Sequence, residues 1–303
     1  MGSRLAQIIH PALLFVVVAW GLNFTIVKVA YWDVNPPAVA ILRWAGTVAM
    51  MALIMRWAGQ DWRMDREDWV RLSVAGFIAN GVYMILFLEG MNQVTPAQGA
   101  ITLATAPIFT ALFAIFAKQD RFRPAWLIGS IIAFAGVALA TLGGASDAGG
   151  SVKGVVIVLI SAVVWAFSVI LMKPILSRHH PIKVMATSLL GAGLALIPYG
   201  IPGLARLDWG HIRWQSWWSL VYLVVFAGAG AFVAYYKALQ DIGPSRTAMV
   251  QYLVPPVAAV FAWLIVGAPL HIEQLIGLLL ALGGLWIGSR RPDAQPPLEP
   301  AVE

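Results

Sequence analysis

The chain contains no cysteine, which excludes disulfides, thiolate metal sites and a cysteine nucleophile. Charge is scarce as well: Asp, Glu, Lys and Arg make up 11% of the 303 residues, 60% are hydrophobic, and the mean hydropathy is +0.80. A soluble core cannot hide that much apolar surface, so the chain belongs in a bilayer. Glu89 is the only acidic residue well inside an apolar span, so no intramembrane carboxylate pair exists for acid–base work. The histidines His10, His179, His180, His211 and His271 fall at span ends or in loops, and none forms an HExxH zinc motif. No GxSxG elbow and no glycine-rich phosphate loop occurs. Neither an enzyme nor a bound metal or organic cofactor is expected.

Apolar spans of about 20 residues lie between polar or Pro/Gly breaks at 11–31, 37–57, 69–91, 97–117, 124–143, 152–172, 182–202, 217–239, 245–267 and 271–289. They predict an all-α integral membrane protein of ten helices. The longest loop, 58–68, is too short for a soluble domain. The first apolar run reaches Tyr31 without a small-residue cleavage site, so it reads as an uncleaved helix, not a signal peptide. The tail 290–303 is polar, Pro-rich and expected to be disordered.

Orientation follows from Lys and Arg. With residues 1–10 inside, the inner segments hold 14 of the 20 basic residues, while the outer ones hold only Lys153, Arg206 and Arg213. Both termini are therefore expected in the cytoplasm. The pI near 9.8 is explained by these flanking charges, so no nucleic-acid partner is expected.

The chain repeats itself. Trp20, Lys28 and Pro36 recur as Trp165, Lys173 and Pro181 at an offset of 145, and Pro96, Pro107, Gly129 and Gly136 recur as Pro244, Pro255, Gly277 and Gly284 at 148. Glu89 aligns with Lys237 in the second register. A repeat with an odd number of spans enters the membrane from opposite sides in its two copies, so two inverted five-helix units are expected, residues 11–143 and 152–289, joined by an outer linker at 144–151. Two similar halves in an apolar chain suggest a transporter, complete as a monomer.

Most Trp and Tyr sit at predicted interfaces as anchors. A few lie deeper. Trp20 and Asn23 share one helical face of the first span, Asn80, Tyr83 and Phe87 recur at i, i+3 and i+7 in the third, and Trp165 and Ser168 repeat the Trp20–Asn23 spacing in the sixth. Tyr235 and Gln251 lie in spans eight and nine. Each alone suits helix packing; together they read as the wall of a cavity for an amphipathic solute. Arg43 and Glu89 are expected to pair toward the outer ends of spans two and three, either as structural glue or as an outer gate. Pro107 and Pro255, repeat mates near the centres of spans four and nine, are expected to act as hinges.

These features carry a resemblance. AWGLNFTIVK at 19–28, NPP at 35–37, ILRW at 41–44, EGMNQVTPAQGAITLATAPIF at 89–109 and KALQDIGPSRTAMVQYLVPPVAAV at 237–260 resemble the EamA-type ten-helix group of the drug/metabolite transporter superfamily, over nearly the whole chain. The group most similar is that of the YddG-type exporters of aromatic and other amino acids from bacteria. The resemblance implies alternating access around a central cavity, without ATP hydrolysis, in the bacterial inner membrane. It implies small-molecule substrates: amino acids and related amphipathic metabolites, with a metabolite importer or a cationic-drug exporter as the alternative.

Overall fold

The structure, a computed structural model, describes residues 11–119, 124–142, 151–267 and 272–289. The expected tails 1–10 and 290–303 and all but the last residue of the 144–151 linker lie outside them. Among the described residues there is no strand. The helical rods are α1 (Pro11–Ala30), α2 (Pro36–Trp57), α3 (Arg66–Gln93), α4 (Pro96–Phe116), α5 (Pro124–Leu142), α6 (Val152–Leu176), α7 (Pro181–Leu204), α8 (Trp214–Ile242), α9 (Pro244–Val266) and α10 (Ile272–Ser289). Among the described residues eight of them, α1–α4 and α6–α9, are long and apolar enough to cross a membrane, and α5 carries a shorter apolar stretch, Pro124–Gly136.

The rods begin where the local chemistry says they must. Proline opens α2, α4, α7 and α9, at positions where a missing N–H is harmless. Asn35 caps α2 by accepting from the Ala38 amide at 3.0 Å, and Thr95 and Gln98 form a reciprocal capping box on α4. Gly243, at φ +83°, makes the turn between α8 and α9 that a side chain would strain. Large apolar side chains such as Val152, Phe116 and Leu194 remain on the outer surface, as a bilayer-facing bundle requires.

Packing comes in matched sets. α3 lies on α6 as α8 lies on α1, α4 lies on α6 as α9 lies on α1, and the repeat mates α2 and α7, α4 and α9, and α5 and α10 touch directly. Small residues permit the closest approaches: a methyl at Gly76 of α3 would overlap the Ser188 backbone of α7, and one at Gly191 would overlap that of Ser73.

Among the described residues four rods depart from regular α geometry, again in matched places. α3 widens into a π segment at Phe77–Val82 and α8 does so at Val225–Gly230, 148 positions later. α4 breaks at Ala104–Thr105 just before Pro107, and α9 tightens to a 3₁₀ turn at Val250–Leu253 just before Pro255. Proline alone does not break a rod here, because Pro174, Pro198 and Pro202 lie inside continuous helix. The two breaks belong to their positions, where backbone irregularity is tolerated because it faces the interior.

Candidate functional site

At the centre of the bundle α1, α2, α3, α4, α6, α8 and α9 surround a cavity. Six of the described residues that line it are aromatic. Trp20 meets Trp165 edge to face at 5.8 Å, Tyr83 lies 5.2 Å from Trp165 and stacks on Phe87 at 5.8 Å, and Phe232 lies 5.5 Å from Trp20 and 5.6 Å from Trp165. Edge-to-face and offset contacts of this kind satisfy the ring quadrupoles and fix each ring's tilt. The break in α4 contributes Ala104, with Leu103 just before it, and that in α9 contributes Gln251, with Val254 just after it.

Of the residues expected from the sequence, Trp20, Asn23, Tyr83, Phe87, Trp165 and Gln251 line this space. Two do not. Tyr235 is fully buried behind the wall, its ring 5.1 Å from Trp20 and 5.3 Å from Trp165, and its hydroxyl accepts from Gln251 Nε2 at 3.1 Å. It orients the lining rings and amide without facing the space. Ser168 is buried, donates its hydroxyl back to the Trp165 carbonyl at 2.7 Å, the local bond that serine makes in helices, and does not line the cavity. Phe24, Met84 and Phe232 are lining residues that the sequence reading missed. Phe24 follows Trp20 by four positions and Phe232 precedes Tyr235 by three, so helical spacing would have found both.

The expected Arg43–Glu89 pair is not formed. Arg43 reaches inward from α2 to the cavity, where Nη1 donates to Asn23 Oδ1 at 3.3 Å and Nη2 to the Ala227 carbonyl at 3.5 Å. Trp20 Nε1 donates to the same Ala227 carbonyl at 3.3 Å. Ala227 lies inside the π segment of α8, and a widened turn leaves a carbonyl open to outside donors. Glu89 instead accepts from the Tyr199 hydroxyl of α7. Arg43 is engaged with Asn23 and Ala227 and Glu89 with Tyr199, so the cavity holds a buried cation and not the expected ion pair.

Both ends of the bundle are tied. At the end carrying the 31–35 turn, Asp33 accepts from Arg213 Nε at 3.0 Å and from the Ser216 hydroxyl at 2.6 Å, and Tyr31 donates to the Leu88 carbonyl at 2.8 Å. At the opposite end Lys173 donates to the Leu239 and Gln240 carbonyls at 2.9 and 3.1 Å, Asp68 holds Arg178 and His179, and Lys183 meets Asp61 at 2.8 Å. Lys237, the repeat mate of Glu89, pairs with Asp241 one turn away at 2.6 Å. Among the described residues no group of His, Asp or Glu is arranged to hold a metal ion.

The model of the EamA-like transporter family matches the chain twice, over residues 7–142 and 152–290. The chain belongs to the EamA-like transporter family. This EamA-like chain is 24% identical over 272 residues to an uncharacterized transporter of Archaeoglobus fulgidus, covering 90% of this chain and 95% of that one. It is 23% identical to the uncharacterized transporter YyaM of Bacillus subtilis, over 89% of each chain. A protein of Streptantibioticus cattleyicolor named "Probable terminal-alkyne amino-acid exporter" is 26% identical over 284 residues, covering 92% of this chain and 93% of that one. A crystal structure at 17% identity superposes with a TM-score of 0.73, covering 91% of this chain and 94% of that one, which shows a shared fold. The EamA-like protein is thus a multi-span membrane transporter of small molecules, and not an enzyme.

Proposed function

We propose that this EamA-like protein exports amino acids and related amphipathic metabolites across the bacterial inner membrane by alternating access, without ATP hydrolysis. The observation that carries the reading is the central cavity, walled by Trp20, Tyr83, Phe87 and Trp165 and equipped with the polar groups of Asn23, Arg43 and Gln251. Aromatic walls hold apolar side chains of many shapes, and a few polar groups fix the end that amino acids share. The relative named as an amino-acid exporter, matched along nearly its whole length, supports the same substrate class. Tyr235 acts from behind the wall through Gln251, and Ser168 is left without a role in binding. A buried guanidinium disfavours the cationic-drug alternative, because a second positive charge would be placed beside the first.

The two family matches and the matched packing support two five-helix repeats, 11–143 and 152–289, joined through 144–151. In this reading α5 and α10 also span the bilayer, the repeats are inverted, and residues 1–10 and 290–303 lie in the cytoplasm. The end carrying Asp33 and Glu89 then faces outward, and the Glu89–Tyr199 contact replaces Arg43–Glu89 as the outer tie. The cavity volume open to the centre of a water-sized sphere is about 30 Å³, where one water needs roughly 10–15 Å³ on that measure. That is room for a few waters and not for an amino acid. Transport therefore requires the walls to part, and the breaks before Pro107 and Pro255 are the proposed hinges.

Purified protein in liposomes, offered labelled amino acids, drugs and nucleotide sugars with and without a pH gradient, tests the proposal. Saturable counterflow of aromatic and other apolar amino acids is expected. Movement of drugs or nucleotide sugars with no movement of any amino acid would sink it.

A further inference from the structure

Arg43 is 5% exposed in the middle of an apolar bundle, and among the described residues no carboxylate lies within ion-pair distance of it. Leaving a buried cation unpaired is costly, so its position needs a reason. Its two bonds, to Asn23 Oδ1 at 3.3 Å and the Ala227 carbonyl at 3.5 Å, are long and go to neutral acceptors. They use little of what a guanidinium fork offers. Arg43 also lines a second, smaller cavity beside the first, between Trp44, Thr47 and Asn80, and among the described residues no acidic side chain lines either space.

We propose that Arg43 anchors the substrate's carboxylate, and that the amino group of an amino acid is dispensable to this site. The inference rests on the reading of the cavity as the substrate site and narrows it to amphipathic carboxylates. A carboxylate matches the planar fork with two parallel, charge-assisted bonds. It takes the place of the long contacts to Asn23 and Ala227, which hold the guanidinium in register while the cavity is empty. An ammonium group finds no opposite charge there. The faces of Trp20 and Trp165 offer it cation–π attraction, which is weaker than an ion pair, and Arg43 repels it. A ligand with the apolar body and the carboxylate alone should therefore bind, and one with the body and the ammonium alone should not.

Three ligands of one shape test this on the purified protein: phenylalanine, 3-phenylpropionate and phenethylamine, each competing against a labelled amino acid. Phenylalanine and 3-phenylpropionate should compete similarly, with phenethylamine weaker by about 10- to 100-fold, the worth of charge-assisted hydrogen bonds. Arg43→Lys keeps the charge and loses the fork, so it should weaken both carboxylates. Arg43→Gln should bring the three ligands together. If Arg43→Gln does not fold, the wild-type series still decides. Phenethylamine competing as well as phenylalanine, or Arg43→Gln retaining the preference for carboxylates, would overturn the anchor. Arg43-dependent binding of 3-phenylpropionate without transport of any amino acid would uphold the anchor and sink the exporter reading. Amino-acid transport unaltered by Arg43→Gln would do the reverse.

Discussion

Trp20 and Trp165 occupy the same position in the two halves of the chain, 145 residues apart, and their rings meet edge to face at 5.8 Å with planes 85° apart. Each half thus presents its own copy of one residue to the other at the centre of the bundle. Phe232 and Tyr235 touch both rings, so the contact is a node and not an isolated pair. Any motion of one half against the other must slide this node.

The two rings should therefore be coupled in stability as well as in transport. Trp165 is 2% exposed, so Trp165→Ala should lower unfolding stability in mixed micelles by about 3–5 kcal/mol, the range for large-to-small aromatic changes in a core. Trp20→Ala should act in the same direction. The double variant should lose less than the sum, by about 0.5–1.5 kcal/mol, the worth of an aromatic pair beyond its buried area. Strict additivity would mean that the halves do not communicate through these rings.

Orientation can be tested at exposed positions without disturbing a cap. The chain is free of cysteine, so a single introduced thiol is the only reactive one. Arg206→Cys lies in the exposed turn after α7, and Asp65→Cys lies exposed before α3, at a position whose side chain caps nothing. An impermeant thiol reagent added to intact cells should label the first and spare the second. The reverse pattern would turn the bundle over, and with it the assignment of the Asp33 end to the outside.

How much of this was legible beforehand differs by level. The ends of the rods were, because proline, Asn35 and Thr95 mark helix starts through donors and acceptors that every helix start must supply. The aromatic face was too, since Tyr83 and Phe87 share a side of α3 whatever α3 packs against. Periodicity says which residues share a face, but not how far a long side chain reaches. Arg43 looked peripheral by its place in the span, yet its reach brings the guanidinium to Asn23 of another helix. The π segment that opens the Ala227 carbonyl has no signature in one sequence, and it is what gives Arg43 and Trp20 a common acceptor. Ser168 shows the opposite failure: its spacing copies Asn23, but its hydroxyl bonds the Trp165 carbonyl of its own turn, whereas the Asn23 amide accepts from Arg43.

The tie between the 31–35 turn and the start of α8 should resist mild acid. Hydrogen bonds from Arg213, aided by Ser216, hold the Asp33 carboxyl down at about 2, below its ordinary 3.8. A depressed carboxylate contributes stability that is present above the unfolded value and is lost as pH falls through the folded one, so the tie is intact throughout pH 5–8. After correction for intrinsic rates, hydrogen exchange at residues 212–217 should be constant across that range in the wild type and faster in Asp33→Asn at pH 7. A transition near pH 6 in the wild type would show that some other group governs this end.

The paired breaks carry the mechanistic claim. Ala104–Thr105 and Val250–Leu253 interrupt α4 and α9 just before Pro107 and Pro255, and residues of both breaks line the cavity. Each proline withholds the amide that would otherwise bond back across its break, which leaves the two half-helices free to change angle. Pro107→Ala or Pro255→Ala restores that donor and should stiffen the rod. Neither proline lines the cavity, so equilibrium affinity for substrate should change little, while turnover falls and one access state accumulates. Pro256 follows Pro255, and a second missing amide at the α9 break should leave Pro255→Ala milder than Pro107→Ala. Spin-label distances across the two ends of α4 and α9, measured with and without substrate, give the decisive comparison. Wild-type distributions together with normal turnover in both variants would make the breaks fixed bends, and the walls of the cavity would have to part by some other route.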